Sequence, residues 1–246
     1  MKKLIFILLC FSLMTFGSSA KIIEVAPAGA WGTMIIGGSG LPAAVGGWSD
    51  DFSGCTSGYV DAQTGWGTNL TTDLNANHSA DFVCSSGEGL RNADTGRKQY
   101  LLADYEPVDT DYSVSVDMKM TTDASTYVGG PCVRAFEDST GLTGYCTLIN
   151  GKGNSIYIIK YTNGSLAYLI NNQAITNFDW SSYKTIKLVV SGSATTTLTV
   201  WIADEQVATI DDSTSPFTTK SYGGIHTYWY ADDSADTYAD NYVHED

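Results

Sequence analysis

Near the end of the chain Tyr228-Trp229-Tyr230 follows Gly223-Gly224-Ile225-His226, and these residue types together can hold a sugar. Aromatic rings stack on the apolar C–H face of a sugar ring, while imidazole, amide and carboxylate groups bond its hydroxyls. Successive side chains of a strand point to opposite faces. Either Trp229, or Tyr228 with Tyr230, therefore shares a surface with such a ligand. Trp229, Tyr230 and His226 are candidate ligand-binding residues, and Arg134, Tyr145 and Tyr157 are candidates for lining the same sheet face. The competing use of each aromatic is core packing and cross-strand pairing.

Carboxylates are abundant but mostly of one kind: of the 27 acids, 21 are Asp and only 6 are Glu. Asp favours turns and calcium ligation, whereas Glu favours helices. Glu88 and Glu205 are isolated, and Glu137-Asp138 falls in an expected turn. No Ser/His/Asp constellation stands out. With 3 His and no Cys-x-x-Cys pair, a zinc site is disfavoured. The net charge of −14 repels phosphates and disfavours nucleic acid as a partner.

The first twenty residues read as a secretory signal peptide. Met1-Lys2-Lys3 is basic, Leu4 to Phe16 is an apolar run, and Ser18-Ser19-Ala20 supplies small residues for cleavage after Ala20. The run is too short for a comfortable transmembrane helix, so no stable membrane span is expected. Cys10 lies within it, and lipidation is the weaker reading because no small residue directly precedes Cys10.

Four cysteines then remain, Cys55, Cys84, Cys132 and Cys146, an even number that suits disulfides in an oxidising compartment. Val128 to Phe136 and Leu142 to Asn150 read as a hairpin around 137–141. Pairing Ala135 with Thr143 sets Cys132 opposite Cys146, within disulfide reach. Cys55–Cys84 follows by elimination.

Residues 21–47 are rich in Gly and Ala and read as an extended arm or linker. From Trp48 onward short strand-like segments recur between Gly, Asn, Asp, Ser and Thr. Tyr112 to Met120 alternates, with Val114, Val116, Met118 and Met120 on one face. Lys184–Val190 and Thr196–Ala203 alternate likewise, and Trp201 falls on the face opposite Leu198, Val200 and Ile202. Ile156–Tyr161 is apolar on both faces and reaches Leu166–Ile170 through Asn163-Gly164, a strong hairpin signal. No helical period is sustained. Residues 48–246 therefore read as a single all-β domain, a two-sheet antiparallel jelly roll.

From Ser49 onward the chain resembles the concanavalin A-like lectin/glucanase jelly rolls. The resemblance rests on the entry Trp48-Ser49-Asp50-Asp51-Phe52-Ser53, on the stretch from Trp180 through Lys184–Val190 to Leu198–Val207, and on the closing Ala239-Asp240-Asn241-Tyr242-Val243. It implies a polysaccharide or glycan as partner. It also implies a structural calcium shared by Asp50 or Asp51 and Asp240, because first and last strands lie side by side in several relatives. Glycosidases of this fold carry two or three acids on one strand, and the comparable strand here, Val114–Met120, has only Asp117. The Arg-rich and Gln-x-His strands of alginate lyases are not matched.

The expectation is a secreted, non-catalytic carbohydrate-binding protein. One alternative is a structural or adhesion subunit of a virion or extracellular filament, self-assembling through residues 21–47 by strand addition. The other is a glycoside hydrolase or polysaccharide lyase with an unfamiliar site.

Overall fold

Alternation along the chain turns into two stacked sheets. The computed structural model describes residues 47–55, 65–66, 82–91, 98–120, 128–219, 221–228 and 237–246. These lie in one compact unit, Gly40–Asp246. The expected signal peptide (1–20), nearly all of the expected arm (21–47), and both Trp229 and Tyr230 fall outside the described residues.

The strands are β1 (Trp48–Asp50), β2 (Phe82–Ser85), β3 (Glu88–Arg91), β4 (Lys98–Leu102), β5 (Tyr112–Met120), β6 (Gly130–Asp138) and β7 (Gly141–Asn150). They continue with β8 (Ser155–Thr162), β9 (Ser165–Ala174), β10 (Lys184–Ser191), β11 (Thr196–Ile202), β12 (Glu205–Asp212), β13 (Tyr222–Tyr228) and β14 (Thr237–Glu245). The larger, eight-stranded sheet runs β12-β11-β10-β5-β14-β3-β2, with β1 also on β14. The smaller, six-stranded sheet runs β4-β13-β6-β7-β8-β9. Neighbouring strands pair antiparallel in both.

The core sits between the sheets. Val114, Val116 and Met118 of β5, Ile186 and Leu188 of β10, and Leu198 and Val200 of β11 are fully buried, on the face their alternation predicts. Val133, Tyr145, Ile149, Ile156, Ile158 and Ile225 of the smaller sheet meet them. Each buried aliphatic side chain stabilises by about 1.5–3 kcal/mol. Asn163 and Gly164 form the β8–β9 turn with φ of 50° and 75°, the positive angles that a tight hairpin needs.

Both expected disulfides are present, Cys55–Cys84 and Cys132–Cys146. The hairpin around the second differs from expectation. Its turn is only Ser139-Thr140, and Thr143 pairs with Phe136 rather than Ala135 because a bulge falls between Val133 and Phe136. Within it Arg134 has φ of 46°. Strict alternation would set Arg134 on the same face as Cys132, whereas the bulge swings it to the inner face.

Arg134 is there 1% exposed and ties separate segments together. Its guanidinium donates to Thr196 Oγ1, Thr110 O and Gly192 O, each at 2.8 Å, and to Phe217 O. Its own amide donates to the Tyr112 hydroxyl, which in turn donates to Ser221 O at 2.7 Å. Tyr145 OH donates to Asp212 Oδ2 at 2.8 Å and accepts from Phe217 N at 2.8 Å. Lys160 Nζ completes the network on Asp212 Oδ2, Thr214 O and Ser215 O. Burial alone would raise the Asp212 carboxyl, but hydrogen bonds from Lys160, Tyr145 and the Thr214 amide hold it below its ordinary value.

His244 of β14 is also buried, stacked on Tyr112 at 4.7 Å and met edge-on by Tyr105. Neither ring nitrogen has a hydrogen-bond partner. Burial pushes its pKa down to about 4, with Asp246 opposing the shift.

Two outcomes follow from these buried groups. Arg134→Met removes the side-chain donor of the Thr110 and Gly192 carbonyls and one of the two donors of the Phe217 carbonyl, and urea unfolding should show a loss of about 1–3 kcal/mol. For His244 the folded pKa lies below the unfolded value of about 6.5. Its contribution to stability is complete above pH ~6.5 and is lost as pH falls towards about 4, by on the order of 3 kcal/mol. His244→Phe should remove that part of the acid sensitivity, read as the difference between the two unfolding-versus-pH curves.

Candidate functional site

The outer face of the smaller sheet is concave and largely apolar. In strand order β8 and β13 are separated by β7 and β6, yet the Tyr161 hydroxyl lies 3.0 Å from His226 Nε2. Across a flat sheet three strand spacings would hold those backbones about 14 Å apart. Side chains from such distant strands meet on the inside of a bend. Similarly Tyr100 of β4 reaches over β13 to donate to Glu137 of β6.

Among the described residues, a second apolar cluster drawn from this sheet fills the hollow. Leu102, Cys132, Ala135, Cys146, Leu148 and Ile159 are each 3% exposed or less. The Cys132–Cys146 bridge thus forms part of the floor. This explains why Ile156–Tyr161 is apolar at successive positions: Ile156 and Ile158 face the larger sheet, while Ile159 and Tyr161 face outward.

Towards the β8–β9 side the hollow opens. Tyr157 and Tyr168 form a tilted pair with ring centroids 5.7 Å apart, and Tyr168 is 49% exposed. Asn172 stands beside them with φ of 60°. Its side-chain oxygen accepts from Ser155 Oγ at 2.7 Å and from Tyr157 OH at 3.0 Å. The amide oxygen is thereby held, and the Nδ2 donors are left to face outward. Ring, hydroxyl and amide form a shelf at the rim of an apolar floor.

The structure distributes the expected ligand residues unevenly. His226 lies on this concave face but is fully buried against Tyr161. Arg134 and Tyr145 do share one face, as expected, but it is the inner one, where both bond Phe217. The β6 bulge decides this for Arg134, and Tyr145 lies opposite inward-facing Val133. Tyr157 is on the outer face. Tyr168 and Asn172 were not singled out in the sequence. Alternation from Ile170 would group Tyr168 with the core, but pairing shifts between Ile156, Ile158 and Ile159 leave Ile170 inward and Tyr168 outward.

The six strands of the smaller sheet carry two acids, Glu137 and Asp138. Asp138 closes its turn by accepting from Thr140 N at 2.8 Å. A retaining glycosidase needs two carboxyls about 5 Å apart, and these strands set only Glu137 in the hollow. Asp117, on the strand compared with the glycosidases, stands in the larger sheet instead.

The first and last strands do lie side by side, with Asp50 opposite Tyr242. Asp50 accepts from Phe52 N at 2.7 Å and from Trp66 Nε1 at 2.5 Å, so both oxygens serve the fold. Asp51 caps Ser53 N at 3.0 Å. Asp240 is opposite Asp117, and its carboxyl is raised by burial first, with the negative charge of Asp117, Glu88 and Asp51 adding against the Asn241 amide. Among the described residues no three Asp, Glu, His or Cys side chains are grouped to hold a metal ion.

No family model and no curated protein matches the chain. Solved structures do. The carbohydrate-binding module CBM66 from Bacillus subtilis is 16% identical with a TM-score of 0.54, covering 76% of this chain and 99% of that one. A Bacillus licheniformis β-glucanase is 13% identical with a TM-score of 0.53, covering 82% and 98%. A β-1,3-1,4-glucanase (lichenase) derived from a mouse hindgut metagenome is 12% identical with a TM-score of 0.53, covering 81% and 98%. At such identities the likeness is one of fold, and together with the two antiparallel sheets it gives this chain the concanavalin A-like jelly-roll fold.

Proposed function

We propose that this protein is a secreted carbohydrate-binding jelly roll that does no chemistry on its ligand. The observation that carries the reading is the Tyr157–Tyr168–Asn172 shelf, with Tyr168 half exposed on the concave face. An exposed tyrosine ring offers a stacking surface, and a fixed amide beside it offers donors to hydroxyls. The solved neighbours named a carbohydrate-binding module and β-glucanases give the same ligand class, as analogy of fold. The smaller sheet's single carboxylate in the hollow, Glu137, favours binding over hydrolysis. Two disulfides suit an oxidising compartment outside the cytosol. Shallow stacking gives weak affinity at one site, and several copies on one surface would raise it.

Tyr168→Ala should weaken polysaccharide binding about tenfold, the equivalent of roughly 1.4 kcal/mol. The melting midpoint should stay within about 2 °C, because the side chain is exposed. Tyr168→Phe keeps the ring and should keep most of the affinity. Isothermal titration with soluble polysaccharide measures all three proteins; equal affinities would remove Tyr168 from the site. Reducing-sugar release from the same polymers should stay at the buffer level.

A further inference from the structure

We infer that the shelf takes a neutral glycan rather than a uronic-acid or sulfated polymer, an inference that rests on the binding reading above. Recognition of carboxylate or sulfate groups calls for Arg forks or Lys ammonium groups facing the ligand. The strands of the smaller sheet carry three cations, Lys98, Arg134 and Lys160. Arg134 is turned between the sheets, its side chain 0% exposed and its guanidinium hydrogen-bonded to four oxygens. Lys160 is turned the same way, 2.6 Å from Asp212 Oδ2, with all three ammonium donors used on Asp212, Thr214 and Ser215. Lys98 stands on β4, the edge of the sheet opposite β9.

Lys152 is exposed, but it lies in the turn before β8 rather than on the sheet face. A lone exposed ammonium contributes little to an ion pair. What the shelf offers is neutral: two tyrosine rings and the Asn172 amide, held by Ser155 and Tyr157. The net charge of −14 adds a long-range repulsion against any polyanion. Hydroxyl-rich, uncharged sugar faces need no cation, since C–H stacking and amide–hydroxyl bonds suffice.

The test is affinity electrophoresis of the secreted protein and its Tyr168→Ala variant. The gels contain laminarin, inulin, xylan or galactomannan as neutral polymers, and alginate, polygalacturonate or carrageenan as acidic ones. Each is run at low and high salt. The expected result is retardation by at least one neutral polymer, unchanged by salt and weakened about tenfold in the variant. Retardation by an acidic polymer that is as strong, is lost in the variant and collapses at high salt overturns the neutral assignment while the shelf stands. Retardation by none, or retardation indifferent to Tyr168→Ala, overturns the shelf itself and the inference with it.

Discussion

A guanidinium taken out of water costs several kcal/mol unless its N–H groups find oxygens. Arg134 meets most of that demand: its two terminal nitrogens reach four oxygens drawn from three connecting segments and the start of β11, while Nε has no hydrogen-bond partner. The segments around Thr110, Gly192 and Phe217 are irregular, and none has a ladder of its own. Their carbonyls all accept from this one side chain, joined at Phe217 O by Thr196 Oγ1, so their positions relative to both sheets depend on it. The bulge that delivers Arg134 needs backbone to pass close to backbone. Gly144 makes this possible, since a Cβ there would stand 2.7 Å from the Ala135 Cα. Its φ of 149° is likewise a conformation that other residues rarely adopt.

Around that anchor the interior polar groups form a connected network instead of scattered pairs. Tyr112 links Arg134 to the segment before β13, Tyr145 links Phe217 to Asp212, and Lys160 links Asp212 to Thr214 and Ser215. Burial raises the Tyr145 hydroxyl to about 12, so it remains a donor to Asp212 at physiological pH. The network fixes the crossing from β12 of the larger sheet to β13 of the smaller one. It also withdraws two of the smaller sheet's cations from the surface. In the proposed reading stability and ligand preference share residues: Arg134 and Lys160, which tie the sandwich together, are charges that the concave face does not display.

The concave face follows from the curvature of the smaller sheet. Bending brings Tyr161 to His226 and Tyr100 to Glu137, and the apolar floor around the Cys132–Cys146 bridge fills the deepest part. The proposed binding surface lies towards β8 and β9, where Tyr157 and Tyr168 are partly or half exposed. Of the Tyr228-Trp229-Tyr230 run, Trp229 and Tyr230 lie outside the described residues. The proposed shelf flanks the strongest hairpin signal in the chain, with Tyr157 before the turn and Tyr168 and Asn172 after it.

The sequence by itself determined the class of fold. Period-two alternation in Tyr112–Met120, Lys184–Val190 and Leu198–Ile202 names the buried residues, because in a strand the face of each side chain follows from its parity alone. The cysteine pairing was legible although the expected Ala135–Thr143 pair does not form, because the extra residue of the β6 bulge offsets the tighter turn and leaves Cys132 opposite Cys146. The Asn163-Gly164 turn was legible because few residues accept positive φ. Only the tertiary structure decided the site. One extra residue in β6 reverses parity and sends Arg134 inward, and irregular pairing of β8 with β9 separates Tyr168 from Ile170. Bulges leave little trace in a hydrophobic pattern, and the curvature that joins His226 to Tyr161 is a property of the whole sheet.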